Sequence, residues 1–104
     1  MHRIRYHAAA GEEAERAAEW YRSEQLALGL DFERELNAAI DLLRQEPIPS
    51  VSYARAPNEY GIRRLILRRF PYDLVFIERD EVILVIALAH HARRPGYWRS
   101  RMRA

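Results

Sequence analysis

Tyr72-Asp73-Leu74-Val75-Phe76-Ile77-Glu78-Arg79, then Asp80-Glu81, then Val82-Ile83-Leu84-Val85-Ile86-Ala87-Leu88-Ala89 is the stretch that decides the fold. Two runs rich in β-branched and aromatic residues flank a short acidic break, the pattern of a β-hairpin with a tight turn. The second run is almost wholly apolar, as in a central strand covered on both faces. Working back along the chain, Gly61 to Arg68 sets Ile62, Leu65 and Leu67 among arginines and reads as a further strand. Before it, Ser50 to Asn58 is polar and interrupted by proline, as expected of a surface connection.

The first half changes period. Ala14, Ala17, Ala18, Tyr21 and Leu28 recur at helical spacing over residues 10–28, with Glu12, Glu13 and Glu15 in the opening turn, where the helix dipole favours negative charge. These acids, with Glu19, read as helix-start and surface residues. Gly29 is read as the stop and Asp31 as the cap of a second helix over residues 31–46. Its stripe is Phe32, Leu36, Ala39, Ile40 and Leu43, and it ends before Pro47 and Pro49. At the N-terminus, His2 to His7 alternates Ile4 and Tyr6, giving a short edge strand within residues 2–8. The order is β-α-α-β-β-β, an α+β fold in which an antiparallel helical hairpin packs on one face of a small, mainly antiparallel twisted sheet. The strands fall near 2–8, 61–68, 72–79 and 82–90. The expected core is Ala14, Ala17, Tyr21, Phe32, Leu36, Ile40, Leu43, Val75, Leu84, Ile86 and Leu88.

The chain of 104 residues is expected to form a single domain over residues 1–104. It has no cysteine, which excludes a disulfide framework, a thiolate nucleophile and a cysteine-ligated metal. The longest apolar run is far short of the roughly 20 residues that span a bilayer. No membrane association is expected, and the location expected is cytoplasmic. Charge is uneven: residues 1–52 hold six arginines against ten acids, whereas residues 53–104 hold eleven against five. Every basic residue is arginine, so no side chain can act as a lysine-type base or Schiff-base amine. Gly11, Gly29, Gly61 and Gly96 are isolated and form no phosphate-binding loop, and no serine stands in a nucleophile-elbow context.

The chemistry concentrates in His90-His91-Ala92-Arg93-Arg94-Pro95-Gly96-Tyr97-Trp98, followed by Arg99, Arg101 and Arg103. Arginines hold phosphates by paired hydrogen bonds and aromatic rings stack on unpaired bases, so single-stranded RNA suits this segment; an acidic protein suits it equally. Trp98 has a second reading, as a residue that packs back on the sheet. His90 and His91 point to opposite faces if the strand runs through them, so a metal pair is not expected, and neither is a cofactor. Arg63 and Arg64 likewise diverge, and Arg64 and Arg68 are candidates to extend the basic surface.

The β-α-α-β-β-β order, Phe70-Pro71-Tyr72-Asp73-Leu74-Val75-Phe76, the turn at Asp80-Glu81 and the His-x-x-Arg-Arg-Pro-x-Tyr-Trp ending together resemble the RelE/ParE superfamily of type II toxins. So do Trp20-Tyr21 and the Gly-Leu-x-Phe-x-x-Glu-Leu segment from Gly29 to Leu36. The resemblance implies a small bacterial or plasmid-borne growth-inhibiting toxin neutralised by a cognate antitoxin. ParE-like members poison DNA gyrase, whereas RelE-like members cut mRNA on the ribosome. In the RelE-like case the resemblance implies Arg93, Arg94, His90 and Tyr97 as catalytic residues. In either case Arg64, Arg68, Arg93, Arg94, Trp98 and Arg99 are the expected target-binding set. Ribonuclease members commonly carry a basic residue where this chain has Asp73, which favours gyrase as target, with the ribosome and mRNA as the alternative.

Overall fold

The structure is a computed structural model that describes residues 2–45, 48, 50–52 and 61–102. Strand β1 (Arg3–Tyr6) leads into helices α1 (Ala8–Glu24) and α2 (Leu26–Leu42). Strands β2 (Val51–Ser52), β3 (Arg63–Ile66), β4 (Tyr72–Arg79) and β5 (Val82–His90) follow, and a 3-10 turn at Arg99–Met102 closes the described chain. The sheet runs β1-β5-β4-β3-β2. Only β1 against β5 is parallel; the other pairs are antiparallel. The α+β architecture read from the sequence is the one observed, with two additions: the parallel β1–β5 pairing and the two-residue β2. Most of the connection expected over 50–58, the last residue of the expected second helix and Arg103 lie outside the described residues.

The helix boundary differs from expectation. Gln25 alone, with extended backbone (φ −164°, ψ 131°), separates the helices, so Gly29 lies inside α2 and Asp31 is not a cap. The reason is helix contact. A Cβ on Gly29 would stand 2.2 Å from Arg22 Cγ and 2.9 Å from Arg22 Cα, so the missing side chain is what lets the two backbones approach. Asp31 instead pairs with Arg69 at 3.4 Å.

Both faces of the sheet are covered. On the helix side, Phe32, Leu43, Leu74, Phe76, Ile83, Val85 and Leu88 pack in one layer. Tyr21, Phe32 and Phe70 form its aromatic centre, with ring centroids 4.9–5.1 Å apart. On the far side, Val75, Ile77, Ile86 and Ala87 pack under Trp98. Of the expected core, Val75, Leu84 and Ile86 belong to this far layer rather than under the helices; Ala14, Tyr21, Leu36 and Leu84 are only partly buried. A β-bulge explains why simple alternation fails on β5. Val75 pairs Ala87 and Phe76 pairs Val85, leaving Ile86 as the extra residue, so Ile86 and Ala87 both face away from the helices.

Candidate functional site

After His90 the chain turns through a hydrogen bond from Arg93 N to His90 O (3.0 Å) and another from Tyr97 N to Arg94 O (3.2 Å). Gly96 takes φ +81°, a left-handed conformation that a larger residue adopts only with strain, and this delivers Tyr97 and Trp98 onto the far face. Trp98 is 1% exposed. It is a core residue under which the far layer packs, so it offers no ring face for a base to stack on, and its place in the binding set is corrected accordingly.

Beside this turn lies a cavity of about 310 Å³, lined among others by Arg64, Asp73, His91, Arg93, Arg94 and Tyr97. Strand register brings these together. Asp73 and Val75 share a face of β4, and Arg64 pairs with Val75 from β3, so Arg64 and Asp73 meet across the strands. Asp73 is 8% exposed and is held at 3.3 Å by Arg64 Nη1 and at 2.8 Å by His91 Nε2. A buried carboxylate with two such partners offsets most of the positive charge that Arg64 would otherwise show to an incoming phosphate. His90 and His91 diverge as expected. The His90 ring meets Tyr72 edge-on at 5.0 Å on the helix side, and its Nδ1 accepts from Ala92 N.

The second centre is Glu13 on α1. Beyond Val85 the edge of β5 is no longer paired with β1. Glu13 Oε1 accepts the free Leu88 N–H (3.1 Å), while Arg101 Nη1 donates to Ile86 O (3.0 Å), so the two side chains finish the open sheet edge. Arg101 also makes a two-pronged pair with Glu13 (2.8 and 2.9 Å), and the Tyr97 hydroxyl donates to Glu13 at 2.5 Å. Arg93 lies 3.6 Å from the Tyr97 ring centroid and 3.4 Å from Glu13. Burial pushes against ionisation of Glu13, but hydrogen bonds from Arg101 and Tyr97 win and hold its carboxyl below the ordinary range. Burial and then the Glu13 charge push the Tyr97 phenol well above its ordinary value, so its proton stays on at neutral pH.

The structure thus brings Arg64, Arg93, Arg94, His90 and Tyr97 around one cavity, while Arg68 and Arg99 are exposed and do not line it. Arg94 is exposed on the cavity rim, and its guanidinium has no ion pair among the described residues. The reading of Glu13 as a surface residue is corrected: it anchors the whole C-terminal turn. Its phase was the available signal, since Glu13 stands three residues after buried Ala10 and four before buried Ala17. Asp73 carried the same kind of signal, two residues before buried Val75 on one strand face. Among the described residues no cluster of three metal-ligating side chains forms, and no helix is long and apolar enough to cross a membrane.

A family model described as the ParE toxin of a type II toxin-antitoxin system, parDE, matches residues 4–95. Among solved structures, a chain of the chromosomal ParDE toxin-antitoxin system from P. aeruginosa superposes with a TM-score of 0.71 at 16% identity, covering 86% of this chain and 96% of that one. No curated protein matches.

Proposed function

Because the chain belongs to the ParE toxin family of type II toxin-antitoxin systems, we propose that it arrests growth by inhibiting DNA gyrase and is silenced by a cognate antitoxin. The observation that carries the choice of target is the engagement of Tyr97 and Arg93 by Glu13. A nuclease needs a free base and a cation aimed at the scissile phosphate. Here the phenol holds its proton against a buried carboxylate, Arg93 is stacked and paired, and Arg64 is offset by Asp73. What is left outward is Arg94, a charge suited to binding. An acidic antitoxin segment reaching Arg93, Arg94 or Arg64 would also be drawn in by the net basic second half, with association slowing as salt rises.

Ribosome-dependent mRNA cleavage is the second reading, and one pair favours it. Asp73 holds His91 through Nε2, the way a carboxylate orients a histidine for proton transfer. The test compares the unmodified protein with Arg94→Ala and His91→Ala in gyrase supercoiling and ribosome-dependent cleavage assays. Inhibition of gyrase weakened by Arg94→Ala, with no cleaved RNA, is the expected result. RNA cleavage that falls by about 10²–10⁴-fold in His91→Ala would establish the second reading instead.

A further inference from the structure

Trp20 is 60% exposed on α1, an unusual place for the largest apolar side chain in a molecule whose other tryptophan is 1% exposed. It forms one wall of a groove of about 220 Å³ between α1 and the end of β5, separate from the cavity described above. Ala17, Tyr72 and Leu88 make the apolar floor, and Arg16, His90 and Arg93 stand around it. The carboxylate in the groove is Glu13, already engaged by Arg101, Tyr97, Arg93 and the Leu88 amide. Arg16 is exposed and has no ion pair among the described residues. An apolar trough beside a large aromatic, with uncompensated positive charge at its margin, is complementary to a peptide that carries a bulky apolar residue flanked by carboxylates.

We infer that this groove is the docking site of the antitoxin, which seats an apolar side chain against Trp20 and sets acids on Arg16 and Arg93. The inference rests on the toxin reading above and adds the place and the chemistry of neutralisation. His90 and Arg93 line both the groove and the Arg94 cavity. A segment anchored at Trp20 therefore reaches the target-facing arginines from the side and covers Arg93 without filling the cavity itself. Anchoring and masking become separable, because Trp20 belongs to the first and Arg94 to the second.

The experiment uses the full chain and the purified product of the reading frame adjacent to its gene, with affinity measured by calorimetry and neutralisation by co-expression. Trp20 is exposed, so Trp20→Ala should keep the parent's circular dichroism and melting, and Leu30→Ala, exposed on α2 away from the groove, is the control. Trp20→Ala should weaken antitoxin binding by about thirtyfold or more, the range of an aromatic anchor. Arg16→Glu should weaken it further at low salt than at high salt. The Trp20→Ala protein should still arrest growth and should escape an antitoxin dose that silences the parent. Binding of Trp20→Ala equal to the parent's would overturn the inference, as would a folded Trp20→Ala protein that no longer arrests growth, since Trp20 would then belong to the target face. A parent chain that the antitoxin does not bind at all would instead bring down the toxin reading itself.

Discussion

The two faces of the sheet are closed by different physics. On the helix side, closure is apolar and local: stripes on α1 and α2 meet alternate residues of β3, β4 and β5 around Tyr21, Phe32 and Phe70. On the far side a single turn of chain suffices because it is pinned at both flanks. Glu13 holds Tyr97 and Arg101 from 84 and 88 residues away, and Asp73 holds His91 and Arg64. The helix face is built for stability. The far face spends its charged groups on holding one loop conformation, and the side chains that line its cavity are those the toxin reading uses.

If that contrast is right, the largest loss should come from the helix side. Phe32 is fully buried, and Phe32→Ala should cost about 3–5 kcal/mol, read as a drop in the urea midpoint. The far face should lose less. Glu13→Ala strands the Leu88 amide and unpairs Tyr97 and Arg101, and should cost about 1–3 kcal/mol. Its signature is pH dependence. The folded carboxyl titrates below its ordinary value of 4.5, so its stabilisation is present at neutral pH and is lost as pH falls through 4.5 toward the folded value. Glu13→Gln should flatten the parent's melting profile in that acidic window; an unchanged profile would mean that Glu13 is not the anchor.

Two glycines of the hairpin should sharpen the helix side of the comparison. Gly29→Ala puts a methyl group into the Arg22 backbone and should destabilise by about 1–3 kcal/mol. Gly11→Ala meets nothing within 4 Å and should stabilise α1 by up to about 1 kcal/mol. Opposite signs in thermal melts would confirm that the helices touch at Gly29; equal signs would not.

The same contrast explains how much could be read from the chain. Phe32, Ile40 and Leu43 announce their burial by a 3.6-residue period, and the hairpin at Asp80-Glu81 by two β-rich runs around an acidic break, where Asp80 adopts the left-handed backbone that aspartate tolerates (φ 56°). The helix break at Gln25 was not legible, since Gly29 is the stronger stop signal and its use as a contact point depends on where α1 lies. The bulge at Ile86 was hidden because every residue nearby is apolar, so a slip in alternation leaves no mark. In the candidate site Arg64, Arg93, Arg94 and Tyr97 were identified by type and clustering. Glu13 and His91 were not, because their partners are long-range, and only their phase within buried stripes hinted at a role.

The most direct test of the account is a supercoiling assay in which the purified, unmodified protein is titrated into DNA gyrase, with intact ribosomes and mRNA incubated in parallel. Loss of supercoiling at stoichiometric toxin, reversed by the antitoxin and leaving the mRNA intact, is the result predicted. Unimpaired gyrase together with ribosome-dependent cutting of the mRNA would contradict it.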